Sequence, residues 1–182
     1  MNGLFSQQSR RDDPVPTRSG PLRSLLRRLA GSDEDRRTGR MRRLSEACVT
    51  LDGARAVVER GWVQDQWFAP GSAADDFNAG GSGACLVGAV AVAAGASTPA
   101  ATVFVAGPAI DVLWDAWQET RGVGGPGVAG RAAPPAVRAA RVRDLTRWND
   151  QPGRTRDEVV ALIELASSRA IMEAMEPVGS HR

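Results

Sequence analysis

From Met41 to Met175 apolar side chains return every three or four residues, a spacing that commits the body of the chain to helices around one interior. The last segment is the most readable. Val159, Leu162, Ile163, Ala166 and Ala170 make one stripe of a helix running to about Met175. Its start is marked by Thr155 and Glu158, the spacing of a capping box, after a turn written Asn149-Asp150-Gln151-Pro152-Gly153. Upstream, Val137, Ala140, Arg141 and Leu145 predict a short helix leading into Trp148, and Pro108 opens another through Ile110, Leu113, Trp114 and Trp117. Gly83 to Ala94 reads as a central helix of small residues, while Thr98 to Val105 fits a strand as well as a helix. Met41, Leu44, Ala47, Cys48, Leu51, Ala54, Val57 and Val58 are helical in spacing. Asp52 and Gly53 interrupt that run, so two helices are expected there, the second capped by Thr50 and stopped by Gly61.

A chain of 182 residues has room for one core of ordinary size. Its 20 glycines and 11 prolines predict long irregular connections, to about residue 82 and again from Gly122 to Pro135. The expected fold class is all-α: a compact bundle of about five or six helices with long Gly/Pro-rich loops and a disordered N-terminal arm. The expected boundaries are 1–40 for a disordered basic arm, 41–176 for a single helical domain, and 177–182 for a flexible tail. Within the arm, Leu22, Leu25, Leu26 and Leu29 face one way and Arg23, Arg27 and Arg28 the other, an amphipathic helix at 21–30 ended by Gly31.

All 23 basic residues are arginine, with no lysine, a bias that fits a GC-rich genome better than selection at a binding site. Their distribution says more than their number. Residues 1–43 hold 11 arginines against 5 acids, and residues 44–182 hold 12 against 16. A basic arm on an acidic body can fold back on it or remain a solvated tail. It can also reach an acidic protein, an anionic membrane or nucleic acid through Arg23, Arg27 and Arg28. The uncharged stretch between Asp76 and Asp111 is rich in Ala and Gly and broken by Pro99 and Pro108, so no transmembrane segment is expected. Met1 to Gly20 has no apolar core of a secretory signal, which predicts a cytoplasmic protein.

The only histidine is His181, which excludes the usual zinc sets and every Ser-His or Cys-His nucleophile pair, and no metal or cofactor is expected. Cys48 and Cys85 sit among apolar residues at positions that read as helix interior, as small hydrophobes rather than a disulfide framework. Trp148, Asn149, Asp150 and Arg154 are the nearest thing to a constellation, since an amide, a carboxylate and a guanidinium on one turn can orient a polar ligand. The structural alternative weighs more: Asp150 accepting backbone N–H groups and pairing with Arg154 while Trp148 packs inward.

Gly61-Trp62-Val63-Gln64, Cys85-Leu86-Val87-Gly88-Ala89, and Trp148-Asn149-Asp150 with Arg154-Thr155 and Glu158-Val159 together resemble a mainly actinobacterial family of unknown function, serial number 6197. The likeness spans about residues 48–172. It implies an order of parts, a helix ending in Gly-Trp, a loop, a Cys-containing helix, and the Trp-Asn-Asp turn before a final helix. It brings no activity with it.

The candidate ligand or interaction site is therefore Trp62, Gln64, Cys85, Trp148, Asn149, Asp150, Arg154, Thr155 and Glu158. The leading expectation is a non-catalytic protein, of actinobacterial or phage origin, that binds another protein or a ligand, or a second copy of itself through the small-residue helix. A metal-free, histidine-free enzyme using Asp150, Glu158 or Cys85 is the second reading. A nucleic-acid-associated protein working through its arginine-rich arm is the third.

Overall fold

The computed structural model describes residues 21–70, 83–96, 98–123 and 132–175, with side chains from residue 34 onward. Six helices account for most of them: α1 Pro21–Arg60, α2 Leu86–Ala93, α3 Pro99–Val105, α4 Gly107–Thr120, α5 Pro135–Asn149 and α6 Arg156–Met175. The all-α expectation holds. The expected disorder of residues 1–20, most of both long loops and the tail at 177–182 lie outside the described residues. The chain divides into two compact units, Met1–Asp35 and Arg36–Arg182. Of the first, the described part is the opening of α1; the second holds the remaining helices and the core.

Local sequence explains most helix starts. Thr98 caps α3, its Oγ1 accepting from the Ala101 N–H at 3.1 Å, and this resolves the Thr98–Val105 stretch as helix rather than strand. Helices α3, α4 and α5 each carry a proline in the first turn, where a missing N–H costs nothing. The capping box at α6 is formed: the Glu158 N–H donates to Thr155 Oγ1 at 3.3 Å, and the Thr155 N–H donates to Glu158 Oε2 at 2.8 Å.

Two boundaries differ from expectation. Helix α1 is continuous across both Gly31 and Asp52-Gly53, so residues 21–40 are helical and Thr50 caps nothing. Gly53 is small for a packing reason, because a Cβ there would come within 3.0 Å of the Ala93 Cβ on α2. The helix expected at Gly83–Ala94 begins only at Leu86, and Gly83 to Cys85 are extended. That short extended piece lies between Trp62 and Phe68, each of which forms an isolated β-bridge with Ala84. The Ala84 N–H donates to the Gly61 carbonyl at 3.0 Å and the Cys85 N–H to the Trp67 carbonyl at 3.0 Å. Gly88 lies where the Trp67 carbonyl presses on α2, and a Cβ built there would overlap that oxygen.

The core is drawn from every long helix: Leu44, Leu51 and Val58 of α1, Leu86 and Val90 of α2, Ile110 and Leu113 of α4, Leu145 of α5, and Val159 and Ile163 of α6. Helix α4 packs against both α5 and α6. Met41, Val137 and Met175, which the helical spacing assigns to the apolar runs, are instead exposed at the ends of those runs. Among the described residues no helix is long and apolar enough to cross a membrane.

Candidate functional site

The Trp-Asn-Asp turn closes α5, and its middle residue is the best-connected side chain of the predicted set. Asn149 is fully buried at 0% exposure, so each of its polar atoms needs a partner. All four hydrogen-bonding positions of the amide are filled. Its Oδ1 accepts from Trp62 Nε1 at 2.8 Å and from the Leu86 N–H at 3.1 Å. Its Nδ2 donates to the Val63 carbonyl at 3.1 Å and to Asp150 Oδ1 at 2.8 Å. An asparagine side chain offers two donors and two lone pairs, and none is left for a ligand.

Gln64 and Asp150, neighbours of Asn149, are each engaged through one polar atom. Gln64 Nε2 donates to the carbonyls of Asn149 at 2.9 Å and Gln151 at 3.1 Å. Asp150 Oδ1 accepts the backbone N–H of Asp65, a residue held at a left-handed φ of 61°. Leu86 is the first residue of α2, so its N–H is one of the donors a helix start leaves unpaired, and Asn149 supplies the acceptor from across the fold. Cys85 supplies another: it is the N-cap of α2, not an interior residue, and its Sγ accepts from the Gly88 N–H at 3.3 Å. Burial pushes the Cys85 thiol up to about 11, so at neutral pH it carries almost no thiolate.

The structure thus gathers Trp62, Gln64, Cys85, Asn149 and Asp150 into one knot, in which Cys85 and Asn149 are buried and the other three half-buried. The remaining members of the predicted set face away from it. Arg154 lies over the Trp148 ring with its Cζ 4.2 Å from the centroid, and its Nε donates to the Trp148 carbonyl at 3.2 Å. Its other nitrogens reach Glu158 Oε1 at 3.0 Å and Gln151 Oε1 at 2.7 Å. The expected Asp150–Arg154 pair is replaced by Arg154–Glu158. Thr155 and Glu158 form the α6 cap, and the Thr155 N–H and hydroxyl hold the Glu158 carboxyl below the ordinary carboxylate range. The side chains of Arg23, Arg27 and Arg28 lie outside the described residues.

On the outer side of Trp148 the ends of α4 and α5 and the α5–α6 turn leave a cleft of about 400 Å³, open to solvent. It is lined by Trp117, Arg121, Arg147, Trp148 and Arg154, together with Asp144. Arg121 lies 4.8 Å over the Trp117 ring. Arg147 is 78% exposed, with Nη1 3.5 Å from Asp144 Oδ1. Trp117, Arg121 and Arg147 are absent from the predicted set, although Arg121 follows Trp117 by one helical turn and Arg147 directly precedes Trp148.

A charged layer between α4, α5 and α6 is likewise absent from the sequence-based expectations. Asp111, 3% exposed, takes Arg138 at 2.6 Å and Arg141 at 2.7 Å, and one of its oxygens accepts the Ala133 N–H at 3.1 Å. One turn on, Asp115 is pushed up to about 6 by burial, with Asp111 and Glu173 adding to the rise and Arg141 and Arg169 opposing it. Arg141, a member of the expected α5 pattern, is therefore an ion-pair partner of a neighbouring helix. The available signal is an aspartate between Ile110 and Leu113 on a helix that buries both.

Fold and site define a class of all-α protein in which a buried asparagine ties the end of one helix to the start of another across a short extended segment. The model of the family of unknown function DUF6197 matches residues 41–169, and the chain belongs to that family. The match covers every residue of the knot and of the cleft. No curated protein and no solved structure matches the chain.

Proposed function

We propose that this is a non-catalytic binding protein of the cytoplasm whose working surface is the Trp117–Trp148 cleft, which receives an anionic group from a ligand or partner. The observation that carries this reading is the unequal use of three arginines around one cleft. Arg154 is tied to Glu158, Gln151 and the Trp148 carbonyl, whereas Arg147 extends into solvent beside the Asp144 carboxylate at 3.5 Å and Arg121 rests on an indole. A guanidinium on an aromatic face keeps its fork of N–H donors for a carboxylate or phosphate.

The enzyme reading has less behind it. Cys85 is buried with a raised thiol, Glu158 is committed to a helix cap, and Asp150 to the Asn149 amide and the Asp65 N–H. None of the three belongs to the cleft lining. Two free cysteines agree with a reducing compartment.

Because Trp117 and Trp148 line the cleft, intrinsic fluorescence reports its occupancy. Titrating the full chain with inorganic pyrophosphate, citrate and a glutamate-rich peptide should change the emission for at least one anion. The change should fade with added salt. No response to any of them would overturn the reading.

A further inference from the structure

Resting on that reading, we propose that the occupant of the cleft is an acidic peptide segment of a partner protein, whose side-chain carboxylates pair with Arg121 at the end of α4 and Arg147 in the last turn of α5. Three observations separate this occupant from a small phosphate compound. The first is the lining. Sites for small molecules are concave and mainly apolar and swallow most of the ligand. Here Trp117 is only 8% exposed and Arg154 lies over one face of the half-buried Trp148 ring, which limits the indole surface open to a flat base or ring.

The second is the field at the cleft. Two helices end there, α4 at Thr120 and α5 at Asn149, and a helix C-terminus carries partial negative charge. A compact dianion lowered between them meets both ends, and Asp144 as well. Arg121 and Arg147 are the cations of the lining least committed to other groups, and Arg147 is 78% exposed. Carboxylates spaced along a chain reach those two groups one at a time, without bringing a concentrated charge to the helix ends.

The third is charge density. Arg154 is balanced by Glu158, and Asp144 sits beside Arg147, so the lining holds a modest positive excess. Pyrophosphate and nucleic acid concentrate charge and reward dense cationic clusters. Peptide carboxylates are singly charged and spaced, and each matches one guanidinium fork.

The test uses the full chain and a fluorescein-labelled peptide of alternating glutamate, aspartate and glycine, followed by anisotropy at low salt, with inorganic pyrophosphate as competitor. The expected result is saturable peptide binding that weakens by about ten-fold or more in the Arg121→Glu/Arg147→Glu double variant. Circular dichroism of that variant should match the parent. Arg156→Glu, an exposed charge reversal outside the cleft, should leave binding unchanged. Peptide binding that is indifferent to the double variant overturns the proposal. If pyrophosphate binds in an Arg121- and Arg147-dependent manner and the peptide does not, the peptide assignment falls while the anion cleft stands. If neither binds, both fall.

Discussion

The two sides of the Trp148-Asn149-Asp150 turn make an instructive pair. Facing inward, Asn149 engages all four of its amide positions with Trp62, Val63, Leu86 and Asp150. Facing outward, Arg147 and Arg121 line a solvent-open cleft, with Asp144 Oδ1 3.5 Å from the first. Arg147 and Asn149, two residues apart at the end of α5, therefore sit in opposite surroundings. A polar group sealed from water is valuable to the fold in proportion to how completely it is paired, and for the same reason has nothing left to give a ligand.

The largest expected effect tests the sealed side. Asn149→Ala would remove the partner of the buried Leu86 N–H and of the partly buried Trp62 indole N–H and Val63 carbonyl. Each orphaned group costs about 1–3 kcal/mol, so the total loss should be about 4 kcal/mol after some relaxation. Urea unfolding followed by circular dichroism measures it directly. A midpoint close to the parent's would mean that water replaces the amide freely, and the contrast between the two sides would dissolve.

The legibility of the fold in the sequence obeys the same physics. Helical periodicity locates the core of α4, α5 and α6, and the Thr155/Glu158 pair marks the start of α6 to the residue, because both signals are local. Gly53 misleads for the converse reason: a glycine in a helical pattern reads as a break, and only the opposite helix reveals that Ala93 needs the space. The candidate site residues are largely those that meet in the knot. Their role is not readable from the chain, since Asn149 and Trp62 are 87 positions apart and nothing local states that an amide will cap a distant helix. Arg121 and Arg147 escape notice because exposed arginines are ordinary in a chain with 23 of them.

Asp115 supplies an intermediate case that sharpens the comparison, being drawn out of water without the full pairing that Asn149 enjoys. Its carboxyl, pushed up to about 6 from an ordinary value of 3.8, holds its proton more tightly in the folded protein than in the unfolded chain. The stability it contributes is therefore complete below about pH 4 and is lost as pH rises through about 6. Arg141 and Arg169 lessen this loss, and Asp111 and Glu173 deepen it. Asp115→Asn should flatten that slope and stabilise the protein at neutral pH by about 1 kcal/mol, allowing for partial solvent screening. Urea midpoints of parent and variant at about pH 4.5 and about pH 7.5, roughly a unit and a half either side of the folded value, decide it. Parallel pH dependence in the two proteins would show that the charged layer is screened, and that incomplete pairing is harmless there.

The smallest expected effect is the most discriminating. Arg147→Glu reverses a side chain that is 78% exposed and that pairs with an i−3 aspartate on its own helix at 3.5 Å. Exposed pairs of that kind are worth about 0.2–1 kcal/mol, and the reversed charge also meets the negative end of α5, so the stability should fall by less than about 1 kcal/mol. Asn149, two residues further along the same helix, should cost several times as much. If Arg147→Glu destabilised the protein comparably, the cleft lining would be another piece of architecture rather than a surface held ready for a partner. A near-silent unfolding curve, joined to the loss of peptide binding, would place function and stability on opposite faces of one helical turn.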